Sequence, residues 1–467
     1  MAALFSFESL VSFLLFFITY WLFSSLIKVQ NVMLLMAGYL FVGFISVYSL
    51  LVLLSWNVVV YLLAALACHE KYRNKTGLAL SVMLAVYFII FKYFMPVSDW
   101  LLSALQAHGI HATQPAIAIL LPLGLSFYLF NSVSLVLSVA REEIRPPGII
   151  TTLLYINFIP TFIAGPVNLA KILIPQITAS SRTVLEYKRA LYLIAIALIK
   201  LFLLSSWLSD RFATPVFDYP EEQSGWDSLL AVYGWAWNIY FNFSGYTNLV
   251  TGIALLLGFQ ISRNFNHPYQ ATSLKVFWRD WHISLSEFIR DYLYFPLGGN
   301  RKGFARTQIN ALVAMVVSGI WHGAGLTFLV WGALHGLGLV IYNLWQAWVV
   351  KRVGWHLPGV VARLLTFHFV CLAWVFFAAA SCGDALTILN NIAHGLLIVP
   401  SSGQTWALLA FIGVVVVYPE LVKLSTQSES TLCSLKGYAL TLIILPMLAL
   451  AFFFAPSGLP EFIYAAF

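Results

Sequence analysis

His322 is the residue of this chain best suited to chemistry, because it lies in a strongly apolar stretch within the run 318–325, SGIWHGAG. An imidazole is costly to bury at membrane depth, so such a residue is by default a candidate for function. Imidazole can also donate or accept a proton near neutral pH. On the residues alone, His322 is a catalytic base or a bridge between two helices, and the bridge is favoured.

A second histidine, His335, follows in a segment that is also rich in glycine. His335 is thirteen residues after His322. On one ideal α-helix thirteen residues correspond to a rotation of about 220°, so the two imidazoles would not share a face. At most one of them is then expected to be reactive, and the other is expected to bond to a neighbouring helix. The small-xxx-small spacings 319/323 and 332/336 predict closely approaching helix backbones.

A third histidine, His282, lies in the segment 277–292, whose apolar side chains recur at helical spacing. The pattern predicts an interfacial helix with aromatic anchors, including Trp278 and Trp281, and a charged opposite face that includes Arg279. His282 falls at the edge of the apolar stripe, where an anchor needs no titratable group. A role in a site is therefore the alternative.

Positive charge and glycine follow this segment in the run 298–303, GGNRKG, which contains Asn300 and Arg301. Together with Arg279 and Arg290 it suits a phosphate-rich donor, such as coenzyme A or a phosphopantetheine carrier. The glycines by themselves form no nucleotide-binding fingerprint.

A polar island, Asn242, Ser244, Tyr246 and Asn248, interrupts the apolar stretch 228–259. Polar side chains at membrane depth must find hydrogen-bond partners. They either orient a histidine and line a polar path or bond one helix to another.

Membrane helices must position these residues, because 61% of the 467 residues are hydrophobic, only 9% are charged and the mean hydropathy is +0.87. Soluble proteins carry about 25% charged residues. The length allows roughly ten to thirteen spans of about 20 residues. No Lys or Arg precedes the first apolar run, which predicts an uncleaved first span. The cysteines have no metal-type or redox-type spacing, and no metal site is predicted.

The apolar runs are best explained by a single membrane-embedded domain over 1–467. Two of them, 56–68 and 308–320, are too short to span alone and predict re-entrant or half-helices. Seven basic residues lie between 261 and 308, whereas acidic residues dominate 210–227. The bias in Lys and Arg places the basic segment in the cytoplasm and the acidic one outside.

Nine segments, in order between about 120 and 340, form a recognisable set. They are LPLGLSFY (121–128), FIAGP (162–166), FNFSGY (241–246), NFNHPY (264–269), FWRDWHISLS (277–286), RDYLY (290–294), LGGNRKG (297–303), WHGA (321–324) and WGALHG (331–336). Together they resemble the membrane-bound O-acyltransferases, and within that family the bacterial alginate O-acetylation branch. The match covers the middle half of the chain. The branch usually has aspartate where this chain has Asn242 and Asn248.

The resemblance implies an all-α polytopic membrane protein, in which a ring of about 11–13 transmembrane and re-entrant helices surrounds a tunnel with a basic cytoplasmic mouth. It implies His322 as the active-site histidine and His282 as the second polar position of the site. We expect the tunnel and the donor-binding surface to include Trp278, Arg279, Trp281, Asn242, Ser244, Tyr246, Asn300, Arg301 and Trp321.

The implied function is O-acetylation of an exported polysaccharide or cell-wall polymer, in the plasma (inner) membrane. Acetyl-CoA or an acyl carrier protein thioester would be the donor, and no cofactor is expected to stay bound. The expected partners are the lipid bilayer, an extracytoplasmic acyltransferase and the polysaccharide acceptor, with no nucleic acid. D-alanyl transfer to a wall polymer is one alternative, and a polysaccharide or lipid transporter is another.

Overall fold

Helices form all the regular secondary structure in the part of the chain that the computed structural model describes, which is residues 7–110, 120–163, 165–454 and 463. Contacts divide the chain into two units, Met1–Tyr187 with Ile253–Ser262 and Lys188–Gly252 with Arg263–Phe467. A single domain over 1–467 stays a prediction. The first six residues, on which the uncleaved first span partly rests, lie outside the described residues.

Eight helical segments among the described residues are long and apolar enough to cross a membrane, and three shorter helices are also apolar. The prediction of an all-α, multi-pass membrane protein is therefore confirmed. The eight segments are Ile27–Ile45, Val47–Ala67, Arg73–Ala107, Tyr187–Asp218, Leu326–Val353, Gly359–Ala378, Ser402–Ser434 and Gly437–Phe454.

The described residues of the first unit form eight α-helices, and seven of these contribute to one apolar core, α5 being the exception. The indole Nε1 of Trp56 in this core donates to Ser132 Oγ at 2.9 Å, which bonds two of the helices together. The helices are α1 (Phe7–Leu22), α2 (Ile27–Ile45), α3 (Val47–Ala67), α4 (Arg73–Phe88), α5 (Phe94–Ala107), α6 (Leu125–Ala140), α7 (Ile149–Ile156) and α8 (Ala170–Ile177).

The predicted half-helix at 56–68 is wrong. These residues form the second half of α3, a complete span of 21 residues. The chain breaks earlier, at Ser46, whose backbone is extended and whose Oγ accepts from Ser49 N at 3.1 Å. A serine that caps the first turn of a helix stabilises the start of that helix. A hydropathy profile does not register this cap, because Ser46 lies within an apolar run.

Arg182 bonds distant segments of the first unit together through neutral partners. Its terminal nitrogens donate to Tyr20 Oη at 2.9 Å and to Asn31 Oδ1 at 3.0 Å. Its guanidinium lies over the Phe259 ring, 4.2 Å from the centroid. Gly258 has φ +84°, and a Cβ there would be 2.4 Å from the Arg182 side chain. The first unit thus buries a cation among hydrogen bonds and an aromatic ring.

The remaining helices lie in the second unit, except for Tyr187 and residues 253–256 at the ends of two of them, and all the predicted site residues belong to this unit. They are α9 (Tyr187–Leu198), α10 (Ser206–Leu208), α11 (Thr214–Asp218), α12 (Gly225–Leu256), α13 (Leu274–Asp280), α14 (Ile283–Ile289), α15 (Phe304–His322), α16 (Leu326–Trp345), α17 (Lys351–Val353), α18 (Gly359–Ala378), α19 (Cys382–Gly395), α20 (Ser402–Ser434) and α21 (Gly437–Phe454), with π-helical turns at Ile199–Ser205, Ser209–Ala213, Arg290–Tyr294 and Gln346–Val350.

The helices α15 and α16 pack backbone against backbone, as their small residues predict. A Cβ on Gly319 would lie 2.3 Å from Phe328 O, and one on Gly332 would lie 2.5 Å from Met315 O. Side chains larger than hydrogen do not fit at either position. This close contact holds α15 against α16, and His322 is the last residue of α15.

Candidate functional site

His322 is the last residue of α15, and its side chain is buried. Gly323 is extended, with φ −163° and ψ 162°, and α16 begins at Leu326. The imidazole lies between aromatic rings, with centroid distances of 5.0 Å to Trp331 and 5.1 Å to Phe377. The site therefore surrounds His322 with apolar walls at the junction of two helices.

The assumption that His322 and His335 belong to one helix is wrong, because the helix ends at His322 and reverses. His335 lies on α16, and its ring centroid is 5.0 Å from that of Trp331. Trp331 thus contacts both imidazoles, from which its centroid is equally distant. The angular argument against a shared site does not apply to two helices that pack against each other.

The predicted interfacial helix over 277–292 is also wrong. It consists of two seven-residue helices, α13 and α14, followed by a π-helical turn. The break falls at Trp281, which is extended, and at His282, which has φ 43° and ψ 54°. The left-handed region is uncommon for a residue with a Cβ and is found where function imposes it. Trp281 is 1% exposed and is therefore a core residue and no membrane anchor.

Asn264 holds the break at His282 in place. Its backbone oxygen accepts from Ile283 N at 2.9 Å, and its Oδ1 accepts from Ser284 Oγ at 2.6 Å. The strained turn directs the imidazole inward, where it is 1% exposed. Burial lowers the pKa of His282 to about 3, so the ring is neutral at physiological pH.

Trp321 brings the two predicted catalytic histidines together. Its ring centroid is 4.6 Å from that of His322 and 6.4 Å from that of His282. On its other side, the His282 ring meets Phe243 of α12 edge-on at 4.7 Å. Residues that are distant in the sequence thus form one aromatic-walled histidine site.

Trp278 and His335 form a bond between α13 and α16. The indole Nε1 of Trp278 donates to His335 Nδ1 at 3.2 Å. Because an indole nitrogen only donates, Nδ1 must be the unprotonated nitrogen and Nε2 must carry the proton. His335 is fully buried, and its Nε2 has no hydrogen-bond acceptor among the described residues. The helix-bridging role that the sequence allowed for one histidine thus applies to His335.

The polar island on α12 is buried and mainly bonds helices together. Asn242 Nδ2 donates to Ser205 Oγ at 3.3 Å, and its Oδ1 accepts from Ile463 N at 3.1 Å. Ser244 and Tyr246 are likewise buried. The amide of Asn242 is thus occupied by two neighbouring segments, as expected of a helix bridge.

Asn300 and Arg301 lie on an exposed loop, apart from the buried histidines. The loop is held to α15 by Asn310, whose Nδ2 donates to Gly299 O at 2.9 Å. Arg279 is exposed on α13 and pairs with the buried Asp280 at 3.3 Å. These basic side chains are accessible to a soluble donor, but none of them contacts a histidine ring within the described ranges.

Two features of the site were not predicted from the sequence. The walls contributed by Phe377 of α18 and Trp331 of α16 come from helices that look like ordinary apolar spans. Lys200, a cation in the apolar middle of the span Tyr187–Asp218, lies 3.2 Å from the side-chain amide of Asn248 in the polar island. The sequence does contain a signal for Lys200, because a charged residue within an apolar run is a candidate for function.

Comparison with known proteins connects this geometry to a family. The model of the membrane-bound O-acyltransferase family matches residues 5–382. The chain is 35% identical to the peptidoglycan O-acetyltransferase of Helicobacter pylori over 242 residues, which is 51% of this chain and 46% of that protein. It is also 35% identical to a probable alginate O-acetylase of Pseudomonas aeruginosa over 254 residues, 54% of this chain and 48% of that protein.

A more distant relative is the teichoic acid D-alanyltransferase of Bacillus subtilis, 27% identical over 271 residues, 54% of this chain and 67% of that protein. The chain spans about half the length of the two O-acetyltransferase relatives. The family model, in contrast, matches well over half of the chain and includes every residue of the histidine site. The chain belongs to the membrane-bound O-acyltransferase family.

Proposed function

We propose that this protein transfers an acetyl group from a cytoplasmic thioester to an exported polysaccharide or cell-wall polymer, in the plasma membrane. The main support for the proposal is that the Trp321 ring contacts both the His282 and the His322 rings, in a site walled by aromatic side chains. Such a site excludes water, which would otherwise hydrolyse the thioester. The two relatives at 35% identity are named as O-acetylating proteins, which supports the acetyl group.

In the proposed reaction His322 is the general base. As a neutral imidazole it takes the proton from an acceptor hydroxyl while that oxygen attacks the acyl carbon. The carbon–oxygen bond forms, the carbon–sulfur bond breaks, and the departing thiolate takes the proton from His322. General base catalysis of this kind contributes roughly 10² to 10⁴ in rate.

His282 is proposed to stabilise the oxyanion that develops on the carbonyl oxygen when the acyl carbon is attacked. Its neutral ring carries one N–H donor, and the left-handed turn at 282 fixes the orientation of that ring. A donor that needs no reorientation during the reaction is the most effective kind. Backbone N–H groups at the start of α16, beside His322, are a second source of donors.

The donor is proposed to be acetyl-CoA or an acetylated carrier protein, and an extracytoplasmic acyltransferase is proposed to complete the transfer to the polymer. The exposed Arg279 and Arg301 suit the phosphates of either donor. D-alanyl transfer is a second candidate, because one relative is named as a teichoic acid D-alanyltransferase.

The deciding experiment uses the purified protein in proteoliposomes with isotope-labelled acetyl-CoA, acetyl carrier protein or D-alanyl carrier protein. Mass spectrometry of the acceptor identifies the ester that forms. An acetyl ester that depends on His322 supports the proposal. A D-alanyl ester selects the second candidate, and movement of a labelled glycan in the absence of donor identifies a transporter.

A further inference from the structure

Lys200 is a cation placed within a candidate membrane span. It is the second residue of the π-helical turn Ile199–Ser205, in the span Tyr187–Asp218. π-helical turns inside longer helices are frequent at functional sites. A charged side chain at this depth is costly and is by default a candidate for function. The proposed reaction leaves this residue without a role.

The side chain of Lys200 extends toward the polar island of α12. A Cβ on Gly245 would lie 3.2 Å from Lys200 Cβ, and the ammonium lies 5.8 Å from the Tyr240 ring centroid. With the Asn248 amide assigned in the orientation that satisfies both of its polar atoms, its Oδ1 accepts from Lys200 Nζ at 3.2 Å and its Nδ2 donates to Ser244 O at 3.2 Å. An ammonium has three donors, and a neutral amide satisfies one of them without compensating the charge.

The two carboxylates whose charges act on Lys200 or on His267 already have arginine partners. Glu429, whose charge acts on Lys200, pairs with Arg189 at 3.1 Å. Asp280 pairs with Arg279 at 3.3 Å. Among the described residues, no carboxylate lies within ion-pair distance of Lys200.

Arg263 adds a second positive charge without a carboxylate partner in the described part of the chain, and its Nε donates to Phe265 O at 2.8 Å. The charges of the two cations act on His267, in the segment between α12 and α13. Burial, followed by the charges of Arg263 and Lys200, lowers the pKa of His267. Asp280 and Glu429 act in the opposite direction on His267, but neither forms an ion pair with Lys200 or Arg263 among the described residues.

We propose that Lys200 binds the phosphate of the phosphopantetheine arm of the acyl donor. This inference rests on the proposed function, which requires a thioester donor. Coenzyme A and a carrier protein both present the thioester and a phosphate on that arm, so one cation serves either source. Lysine binds phosphate as a point charge, and a contact to a charged group in a partly buried place is stronger than one at the surface.

The test compares two donors that differ only in this phosphate, S-acetyl-phosphopantetheine and S-acetyl-pantetheine, with the full-length protein in proteoliposomes. We expect Lys200→Met to lower kcat/KM for the phosphorylated donor by about tenfold or more. The value for the unphosphorylated donor should not change. Because the result is a ratio between donors, it does not depend on the amount of folded protein. Lys423→Met is the matched control, since Lys423 is exposed and pairs with Glu420.

Two further variants sharpen the test. Asn248→Asp places a carboxylate beside the ammonium and should reproduce the selective loss, and Lys200→Arg should retain the preference for phosphate. An equal effect of Lys200→Met on both donors would overturn the role of Lys200 and leave the proposed function standing. If the wild-type protein transfers acetyl from neither these donors nor acetyl-CoA and acetylated carrier protein, the proposed function itself fails.

Discussion

The Arg182 region of the first unit and the histidine site of the second both bury polar side chains, but they satisfy them differently. Both terminal nitrogens of Arg182 have acceptors and an aromatic ring covers its guanidinium, although its Nε has no acceptor among the described residues. In the histidine site, His335 Nε2 and Trp331 Nε1 are buried without hydrogen-bond partners among the described residues. The contacts of Arg182 join segments of the first unit and stabilise its fold, whereas an imidazole N–H without an acceptor in an aromatic-walled site can bind a ligand.

The difference between the two regions predicts that a change at His322 removes activity and leaves stability intact. We expect His322→Ala to reduce polymer acetylation by a factor on the order of 10² to 10⁴, because the general base is lost. The protein should still accumulate in the membrane with an unchanged unfolding temperature. His356→Ala removes an exposed histidine and should leave acetylation unaffected. Normal acetylation by the His322 variant would refute the assignment.

The opposite pattern is expected at Arg182. Arg182→Met leaves the hydroxyl of Tyr20 and the amide of Asn31 buried with fewer partners, which should cost roughly 2 to 4 kcal/mol of stability. Thermal unfolding in detergent measures this loss, and Arg211→Met, at a less buried position, is the control. The rate of acetyl transfer per folded molecule should be unchanged. A variant that is stable but inactive would contradict the distinction between the two regions.

A third test uses pH and His282. Since burial lowers its pKa to about 3, the unfolded state binds a proton below about pH 6.5 that the folded state does not. This contribution to stability is complete above about pH 6.5 and falls by about 1.4 kcal/mol per pH unit as the pH drops. Unfolding of wild type and His282→Gln between pH 7 and 5 should show the steeper loss in the wild type. Parallel curves would mean that His282 is solvated.

The smallest expected effect is at Trp278. Trp278→Phe removes the hydrogen bond to His335 Nδ1 but keeps an aromatic ring, which should cost about 0.5 to 1.5 kcal/mol of stability. Unfolding in detergent checks this value, and Trp406→Phe on an exposed position of α20 is the control. A large loss of activity without loss of stability would instead assign Trp278 to the donor path.

The helix break at 281–282 is a feature that the sequence did not predict. Apolar side chains recur at helical spacing throughout 277–292, so periodicity alone predicts one continuous helix. Asn264 stabilises the break from outside that segment, through bonds to Ile283 and Ser284. A contact between residues so far apart leaves no local signal, and the left-handed backbone at His282 is therefore visible in the fold alone.

The sequence by itself determined the membrane environment, the all-α class, the basic and acidic segments, and the histidines worth testing, because composition and order of residues carry that information locally. The tertiary structure alone decided that His322 ends its helix, that Trp321 joins it to His282, and that Trp331 contacts both His322 and His335. It also decided that Lys200 meets a neutral amide. These outcomes depend on which helices pack together, and packing is settled by shape and burial over the whole unit.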